Sequence, residues 1–411
     1  MSAAPPPIDA VSGPLRGVRV LDLGTMIAGP VAATLMADFG AEVLKVEQPQ
    51  GGDPMRGIGP FANGESLWFN VESRNKRSLS LDLRLAEGQA LLRELILHAD
   101  VLVENFRPGT MARWGMDFVA LSAINPRLVM LSTSGFGQTG PNAWRAGYDR
   151  IGLAFGGLMQ VTGHADRPPV KPGNSMADYQ SALFGAMAVM MALYHRDVHA
   201  GPGQHIDLAL YESVFRFTDV LVTSFDRLGL RRERQGNTSF AAAPGDNFEL
   251  SDGRYMVITV SADTVFRALC RAMARLDLAT DPRYLTHALR TQYLAQINAE
   301  LAHWLRSHPV DEVCGRLDAE GVPYGILYTV DDIVADPHYA ARGNIATVDH
   351  PVAGRLKMPA PVPRFSATPA GPLRPAPALG ADNVDVLRGW LGLDDAAIKA
   401  LVQRGVVGPS P

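Results

Sequence analysis

The run Gly17-Val-Arg-Val-Leu-Asp-Leu23, then Gly24-Thr-Met-Ile-Ala-Gly-Pro30, and beyond Gly40 the run Ala41-Glu-Val-Leu-Lys-Val46, decides the fold class. The first run is rich in Val and Leu and stops at a glycine, the pattern of a strand buried on both faces of a parallel sheet. Pro30 after Gly29 marks a helix start, because a missing N–H costs nothing in a first turn, and Gly40 ends the helix. The third run reads as a second strand, so residues 17–47 form one right-handed βαβ unit. Outward from it, helices at Glu87–His98 and Met116–Asn125 alternate with strands at Ala99–Glu104 and Arg127–Ser132. That alternation predicts an α/β protein with an open parallel, Rossmann-like sheet.

The stretch Ala177–Arg196 is apolar on nearly every face and reads as a helix deep in the interior. A strand at Gln204–Leu210 and a helix at Tyr211–Leu228 follow, and then the polar linker Arg231-Arg-Glu-Arg234. The style then changes: a hairpin at Phe248–Val260 around Ser251-Asp-Gly253, with helices at Val265–Arg275 and Arg290–Ser307, predicts a smaller α+β domain. Past Val322-Pro-Tyr-Gly325 come one more helix, Pro-rich connections from Pro359 to Pro377 and a helical end at Val384–Gln403. The expected organisation is a frayed segment 1–15, a large domain 16–228, a small domain with its linker 229–325, and a return to the large domain over 326–411.

Composition narrows the function classes. With 411 residues, 47% hydrophobic and 19% charged, the chain can bury a real core. A formal charge of −4 gives no electrostatic ground for nucleic-acid binding. Two cysteines, Cys270 and Cys314, supply neither a disulfide framework nor a four-cysteine metal site. The first residues lack the charged and apolar regions of a signal peptide, and the run Ala182–Leu193 is shorter than the ~20 residues a bilayer requires. The expectation is a cytoplasmic protein.

Several residues carry candidate chemistry. Asp178, in Asn174-Ser-Met-Ala-Asp-Tyr179, stands at the start of the apolar helix, where the dipole favours an anion; it suits a nucleophilic carboxylate or a simple helix cap. Ser134-Gly-Phe-Gly-Gln-Thr-Gly-Pro141 follows a strand and lies where open parallel sheets bind ligands. It is either a structural turn or a loop that substrate approaches closely, with Gly135 and Gly137 as its key positions. It is no P-loop, and Gly24-Thr-Met-Ile-Ala-Gly29 does not match the dinucleotide fingerprint. Basic residues gather at Arg74-Asn-Lys-Arg-Ser78 and at Asn105–Trp114, either as a solvated rim or as the residue types a phosphorylated nucleotide needs. His195, His199 and His205 lack an acidic partner in a metal motif, so no metal is expected.

These motifs occur in one order: Leu21-Asp-Leu23, Ala28-Gly-Pro30, Gly40 to Glu47, Gly52-Asp53, Arg56, Asn75-Lys-Arg-Ser78, Val103-Glu-Asn-Phe106, Pro108-Gly109, Gly135 to Pro141, Gly203-Gln204 and Asp207. In that order the chain resembles the class III CoA-transferases, the group of formyl-CoA and carnitine CoA-transferases that shares its fold with α-methylacyl-CoA racemase. The likeness runs from Arg16 to Val407. It implies an interlocked homodimer, coenzyme A thioesters and free carboxylic acids as substrates, and no resident cofactor.

Carried over by position, the family's nucleophilic aspartate falls on Asp178. Contacts to CoA fall on Thr25, Met26, Asn75, Lys76, Arg77, Arg113 and Trp114, and Tyr148 and Asp149 fall near the reaction centre. Arg145-Ala-Gly-Tyr-Asp149, Pro169-Val-Lys-Pro-Gly173 and Gly321-Val-Pro-Tyr-Gly325 resemble the succinate:hydroxymethylglutarate type, which implies a dicarboxylate acceptor. The cations that could meet its second carboxylate are Arg56, Arg145 and Lys171. Val260-Ser-Ala-Asp263 lacks the glycines that the resemblance places there in formyl-CoA transferase, which argues against formyl-CoA and oxalate. The expected mechanism is covalent, through a mixed anhydride and an aspartyl-CoA thioester on Asp178, with Gly135–Gly140 amides as candidate oxyanion donors. The rivals are an acyl-CoA racemase, disfavoured because Tyr148 is a poor base near neutral pH, and a non-catalytic CoA-binding protein.

Overall fold

The computed structural model describes residues 13–411; the frayed reading of the first residues otherwise lies outside the described residues. Contacts divide the chain into two units. One comprises the chain up to Met159, Lys171–Leu230 and Ala340–Pro411; the other comprises Gln160–Val170 and Arg231–Tyr339.

The large unit is built on a six-stranded parallel sheet: β1 (Arg19–Asp22), β2 (Glu42–Glu47), β3 (Arg77–Ser80), β4 (Val101–Glu104), β5 (Val129–Ser134) and β6 (His205–Ala209). Their order is β3-β2-β1-β4-β5-β6, with Leu21 facing Leu44 on one side and Leu102 on the other. The connection from β3 to β4 reverses the direction in which strands are added, so the loops after β1 and β4 part at their carboxyl ends and leave a crevice.

Alternate residues feed two cores. Leu21, Leu44, Leu79, Leu102 and Met130 pack with Leu92 and Leu95 of α2 (Ala86–Ile96) and with Val386, Leu387 and Trp390 near the C-terminus. Val20, Val43, Val101, Val129 and Leu131 pack with α1 (Ala28–Asp38) and with Ala182, Val189, Ala192 and Leu193 of a long helix, Met176–Val198. The smaller unit holds a three-stranded antiparallel sheet, Gly245–Glu249, Tyr255–Thr259 and Tyr324–Ile326, and a separate core with helices that include Asp263–Ala272 and Leu294–Ser307.

Three sequence expectations change. The helix Met176–Val198 is not deep inside: Leu183, Met187, Met191, Tyr194 and Val198 form an exposed stripe at helical spacing, and the helix has the length and apolarity to cross a membrane while its other side is buried. Composition reports apolarity, not what covers it. Tyr211–Leu228 divides into Leu210–Arg216 and Leu221–Leu228, and Val384–Gln403 divides at Gly392, whose φ of +66° ends the first helix. An antiparallel hairpin, Ile345–His350 with Gly354–Pro359, was not expected; only Val348, His350 and Met358 are buried in it, too few for a clear alternation.

Beneath the crevice lies a buried charge cluster. Lys76 donates from Nζ to Asp22 Oδ2 at 2.8 Å and to the Pro30 carbonyl at 2.7 Å. Lys45 donates to the Gly24 carbonyl at 3.0 Å and pairs with Asp53 at 2.8 Å. Burial opposes the charge on both lysines. It wins at Lys76, whose pKa is lowered, while Asp22, Asp53 and Glu47 together raise that of Lys45. Breaking such a buried pair leaves an uncompensated charge at a cost of about 3–5 kcal/mol. Lys76→Met should therefore lower the urea midpoint strongly, whereas exposed Arg113→Ala should leave it nearly unchanged. Equal midpoints for the two variants would show that the Lys76 pair carries no such weight.

Candidate active site

A cavity of about 430 Å³ opens at the carboxyl ends of β1, β4 and β5, where the strand order reverses. Each wall begins where a strand stops. After β1, Thr25 and Met26 line it; after β4, Asn105 to Pro108; at and after β5, Thr133, Ser134 and Gly135; the segment Arg145–Asp149 and the start of the long helix complete it.

The turn after β1 is held on both sides. Thr25 N–H donates to Asn105 Oδ1 at 2.8 Å, Asn105 Nδ2 returns a bond to the Thr25 carbonyl at 2.8 Å, and Met26 N–H donates to Asp53 Oδ1 at 3.1 Å. Met26 has φ +64°, a left-handed conformation unfavourable for a side chain that persists only where neighbours impose it.

Asp178 lies in the first turn of the long helix and faces the cavity. It is not the cap: Ser175 holds that position, and the Ala177 N–H donates to Asp149 Oδ1 at 2.8 Å. Burial, with the nearby Asp149 carboxylate adding to it, pushes the Asp178 carboxyl up to about 7. Such a group is neutral or ionised according to small changes near neutral pH, a property concentrated at reactive sites.

The other expected residues divide into those the fold gathers and those it does not. Thr25, Met26, Gly135, Arg145, Tyr148 and Asp149 line the cavity with Asp178. Arg145 also lies over the Phe136 ring, 4.9 Å from its centroid. A Cβ on Gly135 would come within 2.6 Å of the Gly147 Cα, so this glycine lets two backbones touch. Trp114 lines a second cavity of about 210 Å³ with Phe106 and Thr25, both of which also line the first.

The remaining residues are placed elsewhere. Lys76 is committed to Asp22, and Asn75 bonds Asp38 and the Arg374 N–H. Arg77 pairs with Glu42 at the amino ends of the strands and with Asp382. Arg113 is exposed beside Thr110 and lines neither cavity. Gly137 is also outside the lining; with φ +85° it shapes a turn whose Gln138 N–H is taken by Asp207 at 2.9 Å. Arg56 is bound by Glu47 at 2.7 Å, and Lys171 donates to the Pro172 carbonyl at 2.7 Å.

Sequence reasoning quoted Asn105, Arg107, Asp53 and Ser134 within motifs without giving any of them a role of its own, and passed over Thr133. Their side chains carry no distinctive signal; position was the available clue, since all but Asp53 follow or end a strand beside the switch point. Glu104 was also missed. It accepts from Phe106 N–H at 2.8 Å and so shapes the Asn105–Pro108 wall, and burial pushes its carboxyl up to about 7.

A cavity at this switch point is where an open parallel α/β sheet binds its ligand, and here a buried carboxylate faces it. The chain belongs to CoA-transferase family III, whose family model matches residues 15–383. It is 42% identical over 395 residues to succinyl-CoA–D-citramalate CoA-transferase of Chloroflexus aurantiacus, covering 96% of this chain and 98% of that protein. It is 34% identical over 399 residues to succinyl-CoA:glutarate CoA-transferase of Mus musculus, covering 96% and 90%. A crystal structure of a CAIB/BAIF family protein from Brucella suis superposes with a TM-score of 0.81 at 34% identity, covering 92% of this chain and all of that one, 100%. The protein is a CoA-transferase.

The raised pKa of Asp178 carries a stability consequence with a definite sign. A carboxyl whose folded value exceeds its unfolded value near 4 stabilises the fold fully below that pH and loses the contribution as pH rises through about 7. Asp178→Asn should therefore be more stable than wild type at pH 8, with the difference closing towards pH 4. Urea unfolding of both proteins across that range checks it; a pH-independent difference would contradict the burial of a titrating group.

Proposed function

We propose that this enzyme transfers CoA from a dicarboxylic acyl-CoA to a free dicarboxylate, with the acyl group and then CoA carried on Asp178. The observation that carries the reading is Asp178 itself: a carboxylate desolvated at the mouth of a helix and facing a cavity at the switch point. Relatives named for succinyl-CoA with citramalate and with glutarate support the dicarboxylate class.

The steps balance without redox chemistry. An Asp178 oxygen attacks the thioester carbonyl, a C–O bond forms, the C–S bond breaks, and CoA leaves as thiolate from a mixed anhydride. The thiolate attacks the aspartyl carbonyl, releasing the first acid as carboxylate and leaving an aspartyl-CoA thioester. The acceptor carboxylate then repeats both steps in reverse order. The shared walls of Thr25 and Phe106 suit a long ligand whose nucleotide lies by Trp114 and whose thioester reaches Asp178.

Arg145 and Arg107 line the cavity and are the cations this reading assigns to the second carboxylate; Arg56 and Lys171 already hold protein partners. An interlocked homodimer belongs to the same reading, and the exposed stripe Leu183, Met187, Met191 and Tyr194 supports it.

Asp178→Ala should fold and lose transfer by at least ~10³-fold, because it removes the nucleophile. The wild-type rate should fall below about pH 7, where the carboxylate is protonated. Substantial transfer by the folded variant, measured by mass analysis of CoA products, would refute the covalent route. In parallel, succinate should be preferred over butyrate as acceptor, and Arg145→Ala or Arg107→Ala should erode that preference by the ~0.2–1 kcal/mol of an exposed charge pair. Comparable use of both acids by wild type would refute the dicarboxylate assignment and leave CoA transfer standing.

A further inference from the structure

Thr25 and Phe106 line both cavities, so what fixes these two residues also fixes the passage from one cavity to the other. Asn105 grips Thr25 by its backbone, accepting from the N–H and donating to the carbonyl, each at 2.8 Å. Phe106 is held by its own N–H, which Glu104 Oε2 accepts at 2.8 Å. Asn105 stands between the two ends of that last bond. One carboxyl therefore closes the turn that presents both the Phe106 ring and the Asn105 side chain. The ring in turn meets Trp114 edge-on, with centroids 5.4 Å apart and planes at 76°, and Trp114 lines the second cavity.

Glu104 is the last residue of β4 and 3% exposed, and among the described residues no cation offsets its charge. A glutamate so buried is normally paired. Here its neighbours are Ser132, in register with it on β5, which gives it a hydroxyl hydrogen bond, and Asp207, in register with Ser132 on β6, which adds a like charge. Leu102 and Met130, two residues earlier on β4 and β5, belong to the core on the same face, so the space suits an apolar side chain. What an apolar side chain would lack is an acceptor for the Phe106 N–H, which a part-buried turn cannot leave open without penalty. The position is filled by a group that burial disfavours and that the turn requires.

We infer that Glu104 is a positioning residue for coenzyme A: by holding the Phe106 N–H it sets the aromatic wall and the Thr25 turn that CoA follows from the second cavity to Asp178. This rests on the path of CoA proposed above. Glu104 acts only through other residues, since it lines neither cavity. Its reach has two branches, one through the Phe106 ring to Trp114 and one through Asn105 to Thr25.

The test measures the Kd of free CoA by calorimetry, and transfer from succinyl-CoA to glutarate, in the full-length wild type, Glu104→Met, Glu104→Gln, Trp114→Ala and the double variant Glu104→Met with Trp114→Ala. Met fills the space and accepts nothing; Gln keeps an acceptor oxygen. Glu104→Met should weaken CoA binding and raise KM for succinyl-CoA, each by about 10-fold, with kcat little changed. Glu104→Gln should retain most of the affinity. The loss in the double variant should fall short of the product of the two single losses, because both act on one ring pair. Wild-type affinity in Glu104→Met would overturn the inference, as would equal losses in Glu104→Met and Glu104→Gln, or a double-variant loss equal to the product. A Glu104→Met protein that circular dichroism shows to be unfolded would make Glu104 structural and overturn it too. Full CoA affinity in Trp114→Ala would overturn the path of CoA and this inference with it. Free CoA binds without reaction at Asp178, so a wild type that binds CoA and transfers it to no acid overturns the transfer reading alone.

Discussion

Two ammonium groups and two carboxylates, Lys45 and Lys76 with Asp22 and Asp53, are enclosed at the carboxyl edge of the sheet, and the site's geometry follows from their mutual neutralisation. Any one of them alone would be intolerable there. Together they tie the end of β1, the interior of β2, the start of β3 and the Asp53 turn to one point. The cluster reaches the reactive surface through two atoms: the Gly24 carbonyl, which Lys45 holds, and Asp53 Oδ1, which holds the Met26 N–H. The left-handed backbone at Met26 is thus imposed from below, and charged residues that never face the cavity determine its wall. Against well-packed apolar residues a buried ion group contributes little net stability; here its effect is on position.

A similar division of labour operates at the long helix. One carboxylate, Asp149, satisfies the Ala177 N–H, and the other, Asp178, is left to the cavity. Their proximity raises the cost of ionising Asp178, and burial raises it further. The fold therefore holds an acidic side chain in a state whose ionisation is unfavourable for stability.

Five of the sheet's six strands were legible in the sequence, the inner ones because strands covered on both faces must be apolar throughout, as the runs at Val20, Val43, Val101 and Val129 are; the edge strand Arg77–Ser80, with Leu79 as its one apolar residue, was not. Asp178 and the turn at Thr25 were picked out through motif order, and the fold gathers both on one cavity. The cation assignments were not, because a positive charge reads alike on the page whether it awaits a ligand or is already paired. Lys76 with Asp22 and Arg56 with Glu47 are joined across 54 and 9 residues, and neither pairing has a local signature. The outer face of the long helix could not be judged either, since an apolar stripe looks the same whether or not its own chain covers it.

The route of the chain through the large unit also constrains how it can be made. Ser80 in β3 receives the Asn383 side chain on its N–H, and Val386, Trp390, Ile398 and Leu401 complete the core on that face of the sheet. These residues emerge from the ribosome some three hundred positions after the strand they cover. The nascent sheet must therefore wait, one apolar surface unfinished, while residues 231–339 are synthesised and gather a core drawn from their own neighbourhood. In the order of biosynthesis the inserted unit can mature first and the large one last, which places the period of greatest exposure to aggregation and chaperone capture before translation ends.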